Sequence, residues 1–164
     1  MKKYFLILII LFVAVSLQAQ KSCRIQRGEA YYYKVLPGVN NTEISIDGSI
    51  HIDKTPAKSN ISIYLITNCL QTPFIFYSRF GETKMKLEFI KIDSDKNEAG
   101  RDKNGNLKIV RVTKSNFLWK ANYQLESDIS NFKKYKIILK GIIGEKKFTY
   151  SIQSIIELQT ISMY

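Results

Sequence analysis

Residues that commonly carry catalysis or bind metals are scarce in this chain of 164 residues, which contains one histidine and two cysteines. Catalysis of the Ser-His-Asp type needs a base beside the nucleophile. The one histidine, His51, is predicted to lie on the outward face of a strand. Zinc sites need several cysteines and histidines at close spacing. The sequence therefore predicts no catalytic residue, no metal site and no cofactor.

Acidic residues are also few, 14 against 25 lysines and arginines. Asp93, Asp95 and Asn97 have the spacing of the first three ligands of a calcium loop, but Glu98 occupies the position where the sharp turn needs glycine. The interspersed Lys96 would repel a cation. We therefore expect residues 93–106 to form an ordinary polar loop.

The N-terminal segment has the pattern of a secretory signal peptide. Lys2 and Lys3 precede an uncharged apolar run over residues 4–17, and the residues up to Ala19 resemble a signal-peptidase site. The run is shorter than the roughly 20 apolar residues of a membrane-spanning helix. We predict a signal peptide over 1–19 and export to the periplasm, the cell surface or the medium.

Two alternatives for the N-terminus remain open, an uncleaved anchor and a lipoprotein acylated at Cys23, although Lys21 fits a lipoprotein poorly. After cleavage, residues 20–30 are predicted to be a polar leader and 31–164 a single β domain. Two of the 25 basic residues lie in the signal peptide, so with 14 acids the mature chain has a net charge of +9.

Cys23 and Cys69 are the two cysteines of a chain predicted to enter an oxidising compartment. A disulfide between them would tie the leader to the domain. The alternative is a mobile cysteine in the leader and a buried, inert Cys69. The sequence favours neither.

Helical periodicity is absent, and apolar residues instead alternate with a period of two. The four isoleucines between 43 and 53 share one parity, which predicts one continuous strand. Residues 60–70 are apolar on both faces, as in a central strand. An apolar parity switch near Phe89 predicts a bulge. Further strands are predicted at 74–80, 107–113 and 117–126.

The clearest hairpin joins residues 135–143 and 146–158. Gly144 and Glu145 form a two-residue loop with glycine first, as a type II′ turn requires. The resulting register pairs Leu139 with Tyr150, and every further pair agrees on which face is buried.

This pattern predicts an all-β fold, a single-domain antiparallel β-sandwich of about eight or nine strands, with a closed β-barrel as the second choice. The strand count and Trp119 resemble those of immunoglobulin-like and fibronectin-like sandwiches. The Cys…Trp…Cys spacing of true immunoglobulin domains is missing, because both cysteines precede the tryptophan.

Basic side chains on predicted outward faces are the main functional lead. Lys136 and Lys140 lie on one hairpin strand and Lys147 on its partner, and Lys120 projects opposite Trp119. We take these four lysines as a candidate binding face for acidic ligands. The alternative is that they only keep a β protein soluble.

Tyr31, Tyr32 and Tyr33 are a second candidate surface. Three consecutive aromatic residues in a strand cannot all face one core, which predicts an exposed aromatic edge.

We therefore expect a non-catalytic accessory or binding module whose partner is an acidic polymer, a membrane surface or another protein. No specific nucleic-acid motif is present. The second hypothesis is a small β-barrel that encloses an apolar ligand such as a lipid or peptide. An enzyme is the third.

Overall fold

A computed structural model describes residues 22–36, 42–44, 50–52, 58–125 and 134–162. The predicted signal peptide lies outside these residues. The described strands are β1 (Ile25–Leu36), β2 (Thr42–Ile44), β3 (Ile50–Ile52), β4 (Lys58–Thr67), β5 (Phe74–Phe80), β6 (Thr83–Lys84), β7 (Ile90–Ile92), β8 (Lys96–Arg101), β9 (Leu107–Arg111), β10 (Phe117–Leu125), β11 (Ile137–Ile143), β12 (Lys146–Ile152), β13 (Ile155–Glu157) and β14 (Ile161–Ser162). Within them, no helix has the length and hydrophobicity needed to cross a membrane.

The larger of the two main sheets, which we call the central sheet, has the order β13-β1-β4-β10-β7, with β14 also paired to β1. β4 pairs antiparallel with β1 on one side and with β10 on the other. Its residues are apolar on both faces and almost all buried. The prediction of a central strand in this segment is therefore confirmed.

The smaller sheet, which we call the outer sheet, has the order β12-β11-β5-β6. β11 and β12 pair as predicted, with Leu139 opposite Tyr150 and Gly141 opposite Phe148. Gly144 in the connecting turn has φ +60°, a conformation that favours glycine. This hairpin is confirmed in its register and in its turn position.

The two sheets face each other across one large core. Its fully buried members include Ile63 and Leu65 from the central sheet and Phe80 and Leu139 from the outer sheet. Met85, Leu87 and Phe89, on the chain between β6 and β7, are buried in the same core. The fold is therefore all-β with several sheets, and no sheet in the described part of the chain closes on itself.

A second core covers the other face of the central sheet. Tyr64, Ile66 and Leu118 project from that face and pack with Val110 and Leu158. Val110 belongs to β9, which pairs with β8 in a separate hairpin. The β8–β9 hairpin thus acts as a third layer and leaves the central sheet buried on both faces.

The β8–β9 hairpin corrects the prediction of a polar loop over 93–106. Its residues show little apolar alternation, because Ala99 is the apolar residue that β8 contributes to the second core. Asn97 instead accepts a hydrogen bond of 2.9 Å from the Tyr64 hydroxyl. A polar contact therefore helps to hold a strand whose sequence looked like a loop.

The segment between β1 and β4 also differs from prediction. Thr42–Ile44 pairs antiparallel with Ile50–Ile52, so the continuous strand predicted over 43–53 is wrong. The register places Ile44 opposite Ile50, which keeps residues of equal parity together. An odd number of residues between two paired strands preserves the same parity that one continuous strand would show.

Two smaller corrections concern strand boundaries. β1 begins at Ile25, so most of the predicted leader belongs to the central sheet. Phe89 lies just before β7 and takes no part in its pairing with β10, which runs from Ile90 to Ile92 without a register shift. The change of parity therefore falls where the strand begins and not at the predicted bulge. Phe89 points into the first core, whereas Ile92 packs against the second.

Cys23 and Cys69 are joined by a disulfide, with their Cα atoms 5.4 Å apart. Cys23 precedes β1, and Cys69 follows β4. Beside the disulfide, Asn68 accepts a hydrogen bond of 2.8 Å from the amide of Arg24. The disulfide and this bond fasten the start of β1 to the end of β4.

Candidate binding face on the outer sheet

The outward face of the outer sheet combines basic and aromatic residues. Strand alternation and register place Lys147, Ile142 and Phe74 in one cross-strand row. Further rows hold Thr149, Lys140 and Tyr77, and then Ser151, Ile138, Arg79 and Lys84. We call this surface the basic face and define it by Arg79, Lys84, Lys136, Lys140 and Lys147 together with Phe74, Phe76 and Tyr77.

Carboxylates are missing from the strands of this sheet. β5, β6, β11 and β12 contain no aspartate or glutamate. Within the described residues, none of the five cations of the basic face lies within ion-pair distance of an acid. The ion pairs that are present lie elsewhere, for example Lys108 with Asp102 at 2.8 Å and Lys103 with Glu157 at 2.7 Å.

Phe74 and Phe76 are the most exposed aromatic side chains on this face, at 65% and 55%. Their exposure could not be predicted from the sequence, because they share parity with Ser78 and Phe80, which are buried. A register shift between Lys140 and Gly141 changes the pairing of β5 with β11 at this point. The parity of β5 therefore switches inside the strand, and simple alternation could not have identified the exposed half.

Lys140 and Tyr77 form a direct contact at the centre of the basic face. They are opposite each other in the register, and the Lys140 Nζ lies 5.3 Å from the centroid of the Tyr77 ring. An ammonium group over an aromatic face is held by the ring quadrupole. The contact orients the lysine while leaving its charge at the surface.

Three of the four predicted lysines come together, and one does not. Lys136, Lys140 and Lys147 are exposed on the basic face. Lys120 lies on the central sheet instead, half-buried over the ring of Tyr64 at 5.4 Å. Burial lowers the pKa of Lys120. The inclusion of Lys120 in one face with the other three is therefore wrong, because β10 belongs to the other sheet.

The predicted aromatic edge is wrong for Tyr31 and Tyr32, which are both almost fully buried. Tyr32 points into the core between the sheets, while Tyr31 and the partly buried Tyr33 pack in the second core. Three consecutive tyrosines can be covered because the central sheet has a core on each face. The prediction had assumed only one.

A surface groove of about 280 Å³ lies at one end of the basic face. It is lined by Arg79, Gly81, Lys134, Tyr135, Lys136, Ile138 and Gln153. The ring of Tyr135 packs edge-on against Phe80, with 5.7 Å between the ring centroids. Gly81 has φ +58°, and a Cβ there would approach Tyr135 Cδ1 to 3.0 Å. This glycine therefore lets the ring lie against the turn.

The acidic turn at Asp102 is a structural feature. The Asp102 carboxylate accepts hydrogen bonds from the amides of Asn104 and Asn106, at 3.0 and 2.9 Å. The ion pair with Lys108 and these bonds lower the pKa of Asp102 to about 2. In the part of the chain that the structure describes, no cluster of acidic, histidine or cysteine side chains could hold a metal ion.

Two other surface grooves are bounded by described residues. One of about 510 Å³ lies beside Arg24 and Asn68, and one of about 310 Å³ lies beside Lys91 and Asp93. The first has Arg24 as its one charged lining residue and no ring, and the second contains Asp93 and Asp95 beside its two lysines. The Arg79 groove differs because its three cations have no acid among the lining residues.

Comparisons of the chain with protein-family models, with curated proteins and with solved structures find no match.

Proposed function

We propose that this protein is an exported, non-catalytic binding module and that the basic face of its outer sheet binds an acidic polysaccharide. One observation carries the proposal. Five cations and three exposed or partly exposed aromatic side chains define one face of a sheet whose strands contain no carboxylate. A polyanion releases condensed counterions when lysines and arginines neutralise its charges, which favours binding by such a surface.

The distribution of charge supports binding over a general role in solubility. Cations that only maintain solubility are expected to alternate with acids over the whole surface. Near the second core they do so, as Lys91 with Asp93 and Lys103 with Glu157 illustrate. On the basic face they do not, and the exposed rings of Phe74 and Phe76 offer apolar surface to sugar rings.

Export is part of the proposal. Its support is the pattern of residues 1–19 together with the disulfide between Cys23 and Cys69, since disulfides persist mainly in oxidising compartments. We propose the periplasm or the cell surface as the location.

We also propose that the fold is immunoglobulin-like. The order β1-β4-β10-β7 in one sheet and β12-β11-β5-β6 in the other corresponds to the orders A-B-E-D and G-F-C-C′. The β2–β3 pair and the β8–β9 hairpin would then be insertions between A and B and between D and E. A solved structure with this connectivity would support the assignment.

The test of function is retention of the mature domain on an immobilised sulfated glycan as a function of salt. A variant with Lys84→Glu, Lys140→Glu and Lys147→Glu reverses three charges of the basic face and leaves the groove residues intact. We expect it to elute at lower salt. The slope of log affinity against log salt should fall by about 2, at roughly 0.7 per contact on a flexible polyanion.

The matched control carries Lys58→Glu, Lys96→Glu and Lys114→Glu. These lysines are also exposed, and the net charge changes by the same amount. We expect the control to remain close to the unmodified domain. Equal losses in both variants would show that total charge and not the basic face governs retention, and the proposed function would be rejected.

A further inference from the structure

The groove beside Arg79 differs from the rest of the basic face because it is concave. Arg79, Lys134 and Lys136 line it together, and no acid is among its lining residues. Three like charges around one small volume repel one another in the absence of a counter-charge. An anionic group in the groove would remove that repulsion.

The groove also has uncharged binding groups. Tyr135 keeps 39% of its surface exposed, and its ring is held by Phe80 and by the turn at Gly81. Gln153 supplies an amide that can donate and accept hydrogen bonds. A ring that is already positioned loses little conformational freedom on binding a ligand.

The size of the groove limits its ligand. Drug-sized ligands occupy pockets of about 300–1,000 Å³, whereas this groove has about 280 Å³. A single sugar ring with one charged substituent matches this volume better than a longer unit would. Arg79 can bind a carboxylate or sulfate through two parallel hydrogen bonds, which a lysine cannot do.

We propose that this groove is the subsite for one acidic sugar residue of the bound polymer. Arg79, Lys134 and Lys136 hold its carboxylate or sulfate, and the ring of Tyr135 packs against the sugar. This inference rests on the proposed function and specifies which unit of the polysaccharide the protein recognises. The part of the basic face around Lys140 then follows the polymer chain outside the groove.

The test is an NMR titration of the mature domain with four probes. They are a sulfated disaccharide, a disaccharide containing glucuronic acid, an uncharged disaccharide and inorganic sulfate. We expect saturable shifts of the Arg79 side chain and the Tyr135 ring with at least one acidic disaccharide. The two acidic probes show whether sulfate or carboxylate is preferred.

Variants separate the roles of charge and ring. Arg79→Gln should weaken binding of the acidic disaccharide about tenfold, which corresponds to one charged hydrogen-bonding partner. Tyr135→Leu should weaken it while leaving the weaker binding of inorganic sulfate unchanged. Lys96→Gln lies on β8, outside both the groove and the basic face, and serves as the control, with less than a twofold effect on the disaccharide.

Three results would overturn the inference. The first is inorganic sulfate binding as tightly as the acidic disaccharides, which would indicate a simple ion site. The second is the absence of shifts at Arg79 and Tyr135. The third is an Arg79→Gln variant that binds as the unmodified domain does. Retention on the immobilised glycan with any of these results would leave the proposed function standing and reject only the subsite.

Discussion

The outward faces of the two sheets carry the same pair of residues in different surroundings. On the central sheet, Lys120 lies 5.4 Å from the ring centroid of Tyr64, and on the outer sheet Lys140 lies 5.3 Å from that of Tyr77. Tyr64 is almost fully buried, whereas Tyr77 is only partly covered. The β8–β9 hairpin packs over the first face, and no described element packs over the second.

The comparison shows that one local contact can serve two purposes. Over Tyr64 the lysine belongs to a packed layer, and the tyrosine hydroxyl donates to Asn97 of the hairpin. Over Tyr77 the lysine keeps its charge at an open surface. We infer that the first face contributes mainly to stability and the second mainly to binding, and the following predictions test that division.

The largest expected effect is from Tyr64→Ala compared with Tyr77→Ala. Removing the buried ring leaves a cavity in the second core, so the free energy of unfolding should fall by about 3–5 kcal/mol. Removing the partly exposed ring of Tyr77 should cost about 1 kcal/mol or less. Urea unfolding of the two variants measures both values. Equal losses would remove the distinction between the faces.

The disulfide, which joins the start of β1 to the end of β4 in the central sheet, is expected to stabilise the domain against unfolding. Cys23 and Cys69 are 46 residues apart, and replacing both with serine should lower the free energy of unfolding by about 3–4 kcal/mol in the chain-entropy model. Binding to an acidic glycan should be unchanged at temperatures where the variant remains folded. Urea unfolding and glycan retention of the same preparation would check both statements. Loss of retention by the folded variant would contradict the assignment of stability to the central sheet and of binding to the outer sheet.

Gly141 tests the packing beneath the basic face. A Cβ at this position would press against the Phe74 carbonyl oxygen and approach Phe148 Cζ to 2.9 Å. Gly141→Ala should therefore lower the free energy of unfolding by about 1–3 kcal/mol through overpacking. Because β5 would have to move away from β11, the variant should also bind acidic glycan less tightly. An unchanged free energy of unfolding in urea would contradict this prediction, because it would show that β5 can move away from β11 without loss of stability.

The smallest expected effect is a difference in alkaline titration. Burial, followed by the charges of neighbouring groups, raises the pKa of Tyr64 to about 12. The native state thus holds this proton more tightly than the unfolded chain, whose tyrosines ionise near pH 10. Its contribution to stability is complete below pH 10 and is lost as the pH rises towards 12.

The Tyr64→Phe variant isolates this contribution. Its free energy of unfolding should fall less steeply above pH 10 than that of the unmodified domain. Parallel pH dependences in the two proteins would contradict the burial of the Tyr64 hydroxyl against Asn97.

Several parts of the fold could be predicted from local pattern alone. The β11–β12 hairpin was predictable because the Gly144 turn and the alternation of both strands specify one register. β4 was predictable as a central strand because apolar residues occupy both parities. In each case the neighbouring strands impose the same periodicity that the sequence displays.

The parts that were mispredicted depend on contacts between distant segments. The burial of Tyr31 and the strand character of β8 both require the second core, which forms only when the β8–β9 hairpin folds over the central sheet. The exposure of Phe74 depends on a register shift opposite Lys140. Alternation within one strand contains no information on a third layer or on an irregular pairing.

The candidate site was predictable in part for the same reason. Lys136, Lys140 and Lys147 lie on one well-defined hairpin, so their common face followed from its register. Arg79 and the exposed phenylalanines belong to β5, whose position beside β11 could not be derived from either segment alone. Lys120 was misplaced because strand parity does not indicate which sheet a strand joins.

The most direct test of the account is an NMR titration of the labelled domain with a sulfated oligosaccharide long enough to span the sheet. We predict that the perturbed residues cluster on the outward positions of β5, β11 and β12, with Arg79 and Lys140 among them. Shifts centred on the β8–β9 hairpin, or spread evenly over all exposed lysines, would contradict a binding face on the outer sheet.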